Sequence, residues 1–128
     1  MKPAPFAYHA PASLSEAIEL LVELEDEAKV LAGGQSLIPV LAMRLSQYEH
    51  LIDLRAVPGL AGVESTGQGV RIGAMTTHAA AGRADDVVAR IPLLARAVPY
   101  IAHAAIRNRG TVGGSLAHAD PSAEHPAV

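Results

Sequence analysis

The chain has 128 residues, a formal net charge of −3, half of its residues apolar and no cysteine. That length and apolar fraction suffice for one ordinary domain or two small lobes, while the charge leaves no basic field with which to hold nucleic acid or an anionic membrane. Without cysteine the chain can ligate no iron–sulfur cluster and no thiolate zinc, and it can form no disulfide, a usage consistent with a reducing, cytoplasmic setting.

The start, Met1-Lys2-Pro3-Ala4-Pro5-Phe6, lacks the apolar core and cleavage site of a secretion signal. Phe6-Ala7-Tyr8-His9 reads as a short extended segment ended by Pro11. Ser13-Leu14-Ser15-Glu16 then has capping-box spacing, and Leu14, Ala17, Ile18, Leu21 and Leu24 recur at helical intervals as the expected buried stripe. Lys29–Ala32 reads as a strand, and it delivers the first glycine pair, Ala32-Gly33-Gly34-Gln35-Ser36. Leu37–Leu45 reads as a helix with Pro39 in its first turn, where a missing N–H costs little. His50–Leu54 is the next strand, completing a βαβ-like lobe, residues 1–56, with a boundary near Val57-Pro58-Gly59.

The second lobe, residues 57–128, opens on two extended runs around Val63 and around Val70 and Ile72, separated by the turn Ser65-Thr66-Gly67-Gln68-Gly69. Thr77 is placed to cap a helix through Ala79 to Ala81. Asp85-Asp86 precedes another apolar run, and Ile91–Ala105 has helical spacing that Pro99 must kink or divide. The second glycine pair follows, Thr111-Val112-Gly113-Gly114-Ser115, expected as a loop.

Each glycine pair sits beside a hydroxyl and free of acidic residues. Glycine admits backbone angles closed to other residues and lets main chain approach a ligand, so successive N–H groups can form an anion-binding concavity. Each pair also suits a plain tight turn, but two of one recipe in one chain can share a pyrophosphate. Neither has the Lys-Ser/Thr ending of a Walker loop nor the three-glycine spacing of a Rossmann turn. Arg107 and Arg109 precede the second pair and either neutralise phosphate, face a partner's acidic surface or are simply solvated, a helix carboxyl end favouring arginine in any case. His118, Asp120 and His125 fall close enough for a metal, although their spacing matches no recurrent site and a polar loop serves equally. His9, His50, His78 and His103 read as structural or exposed.

Three stretches, AGGQSLIPVLAMRL at Ala32–Leu45, IGAMTTHAA at Ile72–Ala80 and IRNRGTVGGSLAHADPSAEHPAV at Ile106–Val128, make the chain resemble the flavin-binding medium subunit of molybdenum hydroxylases, of the aerobic carbon monoxide dehydrogenase and xanthine dehydrogenase type. The resemblance implies an α+β, two-lobed FAD-binding fold of the p-cresol methylhydroxylase and vanillyl-alcohol oxidase type, with the second lobe incomplete. It implies that Ala32, Gly33, Gly34, Gln35, Ser36 and Thr111, Val112, Gly113, Gly114, Ser115 hold the FAD diphosphate, with Glu124 and, secondarily, Asp120 as acidic flavin contacts. Glutamate at Glu124 replaces the aspartate more common in the family. The implied partners are an iron–sulfur small subunit and a molybdopterin large subunit, which carry those cofactors; the implied role is electron transfer through FAD to an external acceptor. The competing reading is a non-catalytic truncated fragment or assembly module that does not stably hold FAD.

Overall fold

A computed structural model describes residues 1–128. Two compact units divide the chain, Met1–Pro58 and Gly59–Val128.

In the first unit, β1 (Ala7–His9), α1 (Leu14–Leu24), β2 (Ala28–Leu31), α2 (Leu37–Ala42) and β3 (His50–Asp53) follow one another as two successive βαβ steps. The three strands are parallel in the order β1-β3-β2, with His50 opposite both Ala7 and Ala28. Helix α1 starts where the hydroxyl of Ser13 accepts the Glu16 N–H at 3.1 Å. The Glu16 carboxylate reaches one residue beyond a capping box and accepts the Ala12 N–H at 2.8 Å. Ala17 of α1 packs with Ala28 and Ile52 of the sheet, flanked by Leu20, Leu21, Leu24 and Leu54.

The buried stripe is therefore rotated from the expected one. Leu14 and Ile18 are each 51% exposed and Val22 is 71% exposed. Helix α1 is apolar over more than one face, and a sheet of three short strands covers only the face centred on Ala17. Helix α2 ends at Ala42, three residues short of expectation. The Leu45 N–H bonds back to the carbonyl of Val40 at 3.0 Å, and Arg44 takes a positive φ of 57° in the manner of a Schellman cap.

At the end of β3 the carboxylate of Asp53, 1% exposed, accepts the Tyr8 hydroxyl at 2.7 Å and the Nε and Nη2 of Arg55 at 2.8 and 2.6 Å. Burial alone pushes this carboxyl up, but the hydrogen bonds from Arg55 and Tyr8 outweigh it and hold the acid below its ordinary range.

The second unit opens with an antiparallel hairpin, β4 (Val63–Thr66) and β5 (Gly69–Ile72), in which Thr66 faces Gly69. The turn is only Gly67-Gln68, narrower than expected, because the Thr66 hydroxyl closes it by bonding both the N–H and the carbonyl of Gly69. Short helices follow: α3 (His78–Arg83), α4 (Asp85–Arg90), α5 (Pro92–Ala97), α6 (Ala104–Arg107) and α7 (Val112–His118). Pro99 sits in a 3-10 turn at Val98–Tyr100, and Ala102 with φ 41° completes the break between α5 and α6. The core joins Val87, Leu94, Val98 and Ile101 to Val63, Val70 and Ile72 of the hairpin. Burial against the helices gives this two-stranded ribbon the support that it would lack alone. No helix is long and apolar enough to cross a membrane.

Candidate functional site

The first glycine segment leaves the carboxyl end of β2 and enters α2, the position at which parallel α/β sheets receive ligands. Gly34 has φ +73°, and a Cβ there would lie 3.2 Å from both Leu31 Cδ1 and Ile38 Cγ1. The carbonyls are used internally: Gly33 accepts the Gln35 side-chain amide at 3.2 Å and Gly34 accepts the Ile38 N–H at 3.1 Å. The N–H groups of Gly33, Gly34, Gln35 and Ser36 meet no acceptor in the chain. Ser36 precedes α2 without capping it through its side chain, so its hydroxyl is also uncommitted. A run of consecutive unpaired donors at a helix start, with no carboxylate bonded to it, is what an anion requires.

The second segment differs from expectation. Thr111 is the N-cap of α7, and Val112 to Ser115 are helical rather than loop. Thr77 and Thr111 face each other in an isolated antiparallel bridge, closed by His78 N–H to Gly110 carbonyl at 3.0 Å and Val112 N–H to Thr76 carbonyl at 2.9 Å. The Gly113 N–H bonds the carbonyl of Ala74 at 2.9 Å, the Gly114 N–H bonds the Thr111 hydroxyl at 3.1 Å, and the Ser115 N–H bonds the Thr111 carbonyl at 3.0 Å. Every N–H from Val112 to Ser115 is thus spent inside the unit. A Cβ on Gly113 would sit 2.6 Å from the Cβ of Ala74, so this glycine is required by backbone approach between α7 and residue 74. The Thr111 N–H alone in the stretch finds no acceptor.

After α7, Ala119 turns left-handed with φ 53°, and the Asp120 carboxylate accepts the Ser122 N–H at 2.8 Å. Asp120 is exposed, whereas Glu124 is half-buried. The hydroxyl of Ser115 and Nδ1 of His125 share a hydrogen bond at 3.1 Å, which draws the last residues onto α7. The rings of His125 and His78 lie 5.1 Å apart, tilted by 40°. His78 Nδ1 and His125 Nε2 are both buried without a partner. Burial, then the neighbouring His125, lowers the pKa of His78 to about 4, against a smaller opposing pull from Glu124. His125 is lowered too, by burial.

Glu124, His125, Ser115 and His78 therefore gather in the second unit. Nothing in the spacing from His78 to His125 signals that pairing. The guanidinium of Arg107 is committed to the carbonyls of Pro99, Ile101 and Ala102, at 3.2, 2.9 and 2.7 Å, which lie in the segment leading into α6 rather than at its carboxyl end. His118, Asp120 and His125 do not converge as metal donors; a convergent set forms instead from Glu27, Glu49 and His50.

The open row of N–H donors at Gly33–Ser36 thus lies at a strand end on a mixed α/β frame. Residues 4–128 match the family described as the FAD binding domain in molybdopterin dehydrogenase, and the chain belongs to that family, whose cofactor is FAD. It is 48% identical over 128 residues to the carbon monoxide dehydrogenase medium chain of Hydrogenophaga pseudoflava, covering 100% of this chain and 45% of that one. It is equally 48% identical over 128 residues to the nicotine 6-hydroxylase medium subunit of Paenarthrobacter nicotinovorans, again covering 100% of this chain and 45% of the relative. Among solved structures, carbon monoxide dehydrogenase from Hydrogenophaga pseudoflava lacking the Mo-pyranopterin moiety superposes with a TM-score of 0.96 at 50% identity, over 99% of this chain and 44% of that one. The chain thus spans less than half the length of the relatives that it matches, and it corresponds to their N-terminal portion.

Proposed function

We propose that this chain is the diphosphate-holding part of the flavin subunit of a molybdenum hydroxylase, in which electrons pass from an iron–sulfur subunit to FAD and on to an external acceptor. The observation that carries the proposal is the row of unpaired N–H groups at Gly33–Ser36 in a chain of the FAD-binding family. In this reading Ala32, Gly33, Gly34, Gln35 and Ser36 bind the diphosphate, each charge-assisted N–H contact contributing roughly 1.5 to 3 kcal/mol. In the same reading Thr111 to Ser115 contribute less than their glycines suggest, since the Thr111 N–H is the one backbone donor left free there and the Ser115 hydroxyl is already bonded to His125. Glu124 contacts the flavin as an acceptor, with Asp120 the second candidate.

FAD, when bound, supplies the step between two-electron and one-electron carriers. The chain's own residues bind and orient it, and none is assigned proton or covalent chemistry on the substrate. We assign the two compact units to the two lobes of the p-cresol methylhydroxylase type of fold, residues 1–56 and 57–128, and the working compartment to the cytoplasm. The partners are an iron–sulfur small subunit and a molybdopterin large subunit. The substrate is left open, since relatives named for carbon monoxide and for nicotine are matched at equal identity. The reading as a module that holds no FAD is disfavoured by the same open N–H row and by the family match along the whole chain.

Isothermal titration of FAD into the 128-residue chain tests the proposal. Weak binding is expected, abolished by Gly34→Val and nearly unchanged by Glu64→Gln, an exposed hairpin position. Tight binding that survives Gly34→Val would place the diphosphate elsewhere.

A further inference from the structure

At the end of the first unit's sheet opposite the glycine segment, the amino ends of β2 and β3 bring together three side chains that the FAD reading does not use. Glu27 is the last residue before β2, Glu49 the last before β3, and His50 the first of β3. One ligand atom from each lies within 4.8 Å of the other two. Metal bonds of about 2.0 to 2.2 Å put neighbouring donors on one ion roughly 3 to 4 Å apart, so small side-chain rotations close this set. The backbone beneath is fixed, since the Glu49 N–H bonds the Glu27 carbonyl at 3.0 Å and the Ala7 N–H bonds the Glu49 carbonyl at 2.7 Å.

A second histidine supplies what an acidic cluster alone lacks. Nε2 of His9 lies 2.9 Å from Nδ1 of His50, with the rings 5.1 Å apart. That bond fixes the His50 ring through one nitrogen and leaves its Nε2 without a partner in the chain, the arrangement by which a ligating histidine is oriented by an outer neighbour. Charge points the same way. The ion pairs of the chain engage Asp53 and Glu64, so neither Glu27 nor Glu49 has a lysine or arginine counter-charge. Lys29, the basic residue nearest in sequence, holds its ammonium 5.5 Å from the ring centre of Tyr48.

We propose that Glu27, Glu49 and His50 bind one divalent transition-metal ion of the zinc class, with His9 positioning His50. An imidazole among the donors selects against magnesium and calcium, and the exposure of both glutamates leaves room for water to complete the coordination. The ion ties the start of β2 to the start of β3 and stands apart from flavin binding.

The test is calorimetric titration of Zn²⁺ alone into the metal-stripped 128-residue chain without FAD, with melting followed in parallel. One equivalent is expected to bind with micromolar affinity and to raise the melting temperature. His50→Ala and Glu49→Gln should each weaken binding at least 10-fold, and His9→Ala about 10- to 100-fold, the usual cost of losing an outer-shell partner. His118→Ala and His125→Ala should change nothing. No heat at millimolar Zn²⁺, or binding that survives His50→Ala and Glu49→Gln in chains with unchanged circular dichroism, overturns the proposal. Glu27→Gln, which keeps side-chain shape at an exposed position, separates loss of a ligand from loss of the fold.

Discussion

Two glycines that look alike in the sequence do different work. Gly34 holds a left-handed conformation beside open N–H groups, whereas Gly113 is pressed against Ala74. Gly113→Ala is therefore expected to destabilise the chain by about 1 to 3 kcal/mol through overpacking against backbone, read as a lower urea midpoint. Gly34→Ala incurs about 1 to 2 kcal/mol of left-handed strain but leaves Ile38 and Leu31 only a few tenths of an ångström to yield, so its larger effect should fall on FAD affinity. An unchanged midpoint for Gly113→Ala would show that α7 can shift. His78 gives a pH signature. Its folded pKa of about 4 lies below the ordinary 6.5, so between those values the unfolded chain takes up a proton that the folded chain refuses. Stability should be full above about pH 6.5 and fall as the pH drops toward 4, by at most about 3 kcal/mol from this group. His78→Phe should flatten that part of the profile; an identical slope in wild type and variant would assign the loss to other groups.

The elements whose signals are local follow the sequence closely. The cap at Ser13, the cap at Thr77, where the hydroxyl accepts the Ala80 N–H at 3.2 Å, and the break at Pro99 are each decided within a few residues. What the sequence hid depends on distant neighbours. Which face of α1 is buried is set by the width of the sheet. Whether Thr111–Ser115 forms a loop or a helix start is set by the carbonyls of Ala74 and Thr76 arriving to take its N–H groups. The free donors at Gly33–Ser36 agree with the reading of that stretch as an open loop; at Val112 and Gly113 the donors are taken by Thr76 and Ala74, distant in sequence, and at Gly114 and Ser115 by Thr111 of the same stretch. Thr76 shows how a single hydroxyl orders such a region. Buried at 3% exposure, it accepts the Gly62 N–H and donates to the Gly62 carbonyl, both at 2.9 Å. Thr76→Val keeps the shape and strips both bonds, so a loss of about 1 to 3 kcal/mol is expected in urea unfolding; a neutral result would mean that water replaces the hydroxyl.

At the scale of the molecule, the first unit rests on β3, since β1 and β2 each pair only with it. That order imposes a schedule. Ala28 pairs with His50 across 22 positions and Ala7 pairs with the same residue across 43, differences read from the register numbers. The longer closure costs only about 0.6 kcal/mol more per doubling of the loop, yet it brings a strand of just three residues, so β2 and β3 should zip first and β1 dock afterwards. The strand that leaves the ribosome earliest is thus the last to find its place, and it waits unpaired until residue 53 has been made. Amide exchange should register the same ranking in the finished protein, with Tyr8 and His9 opening at lower free energy than Leu51 and Ile52.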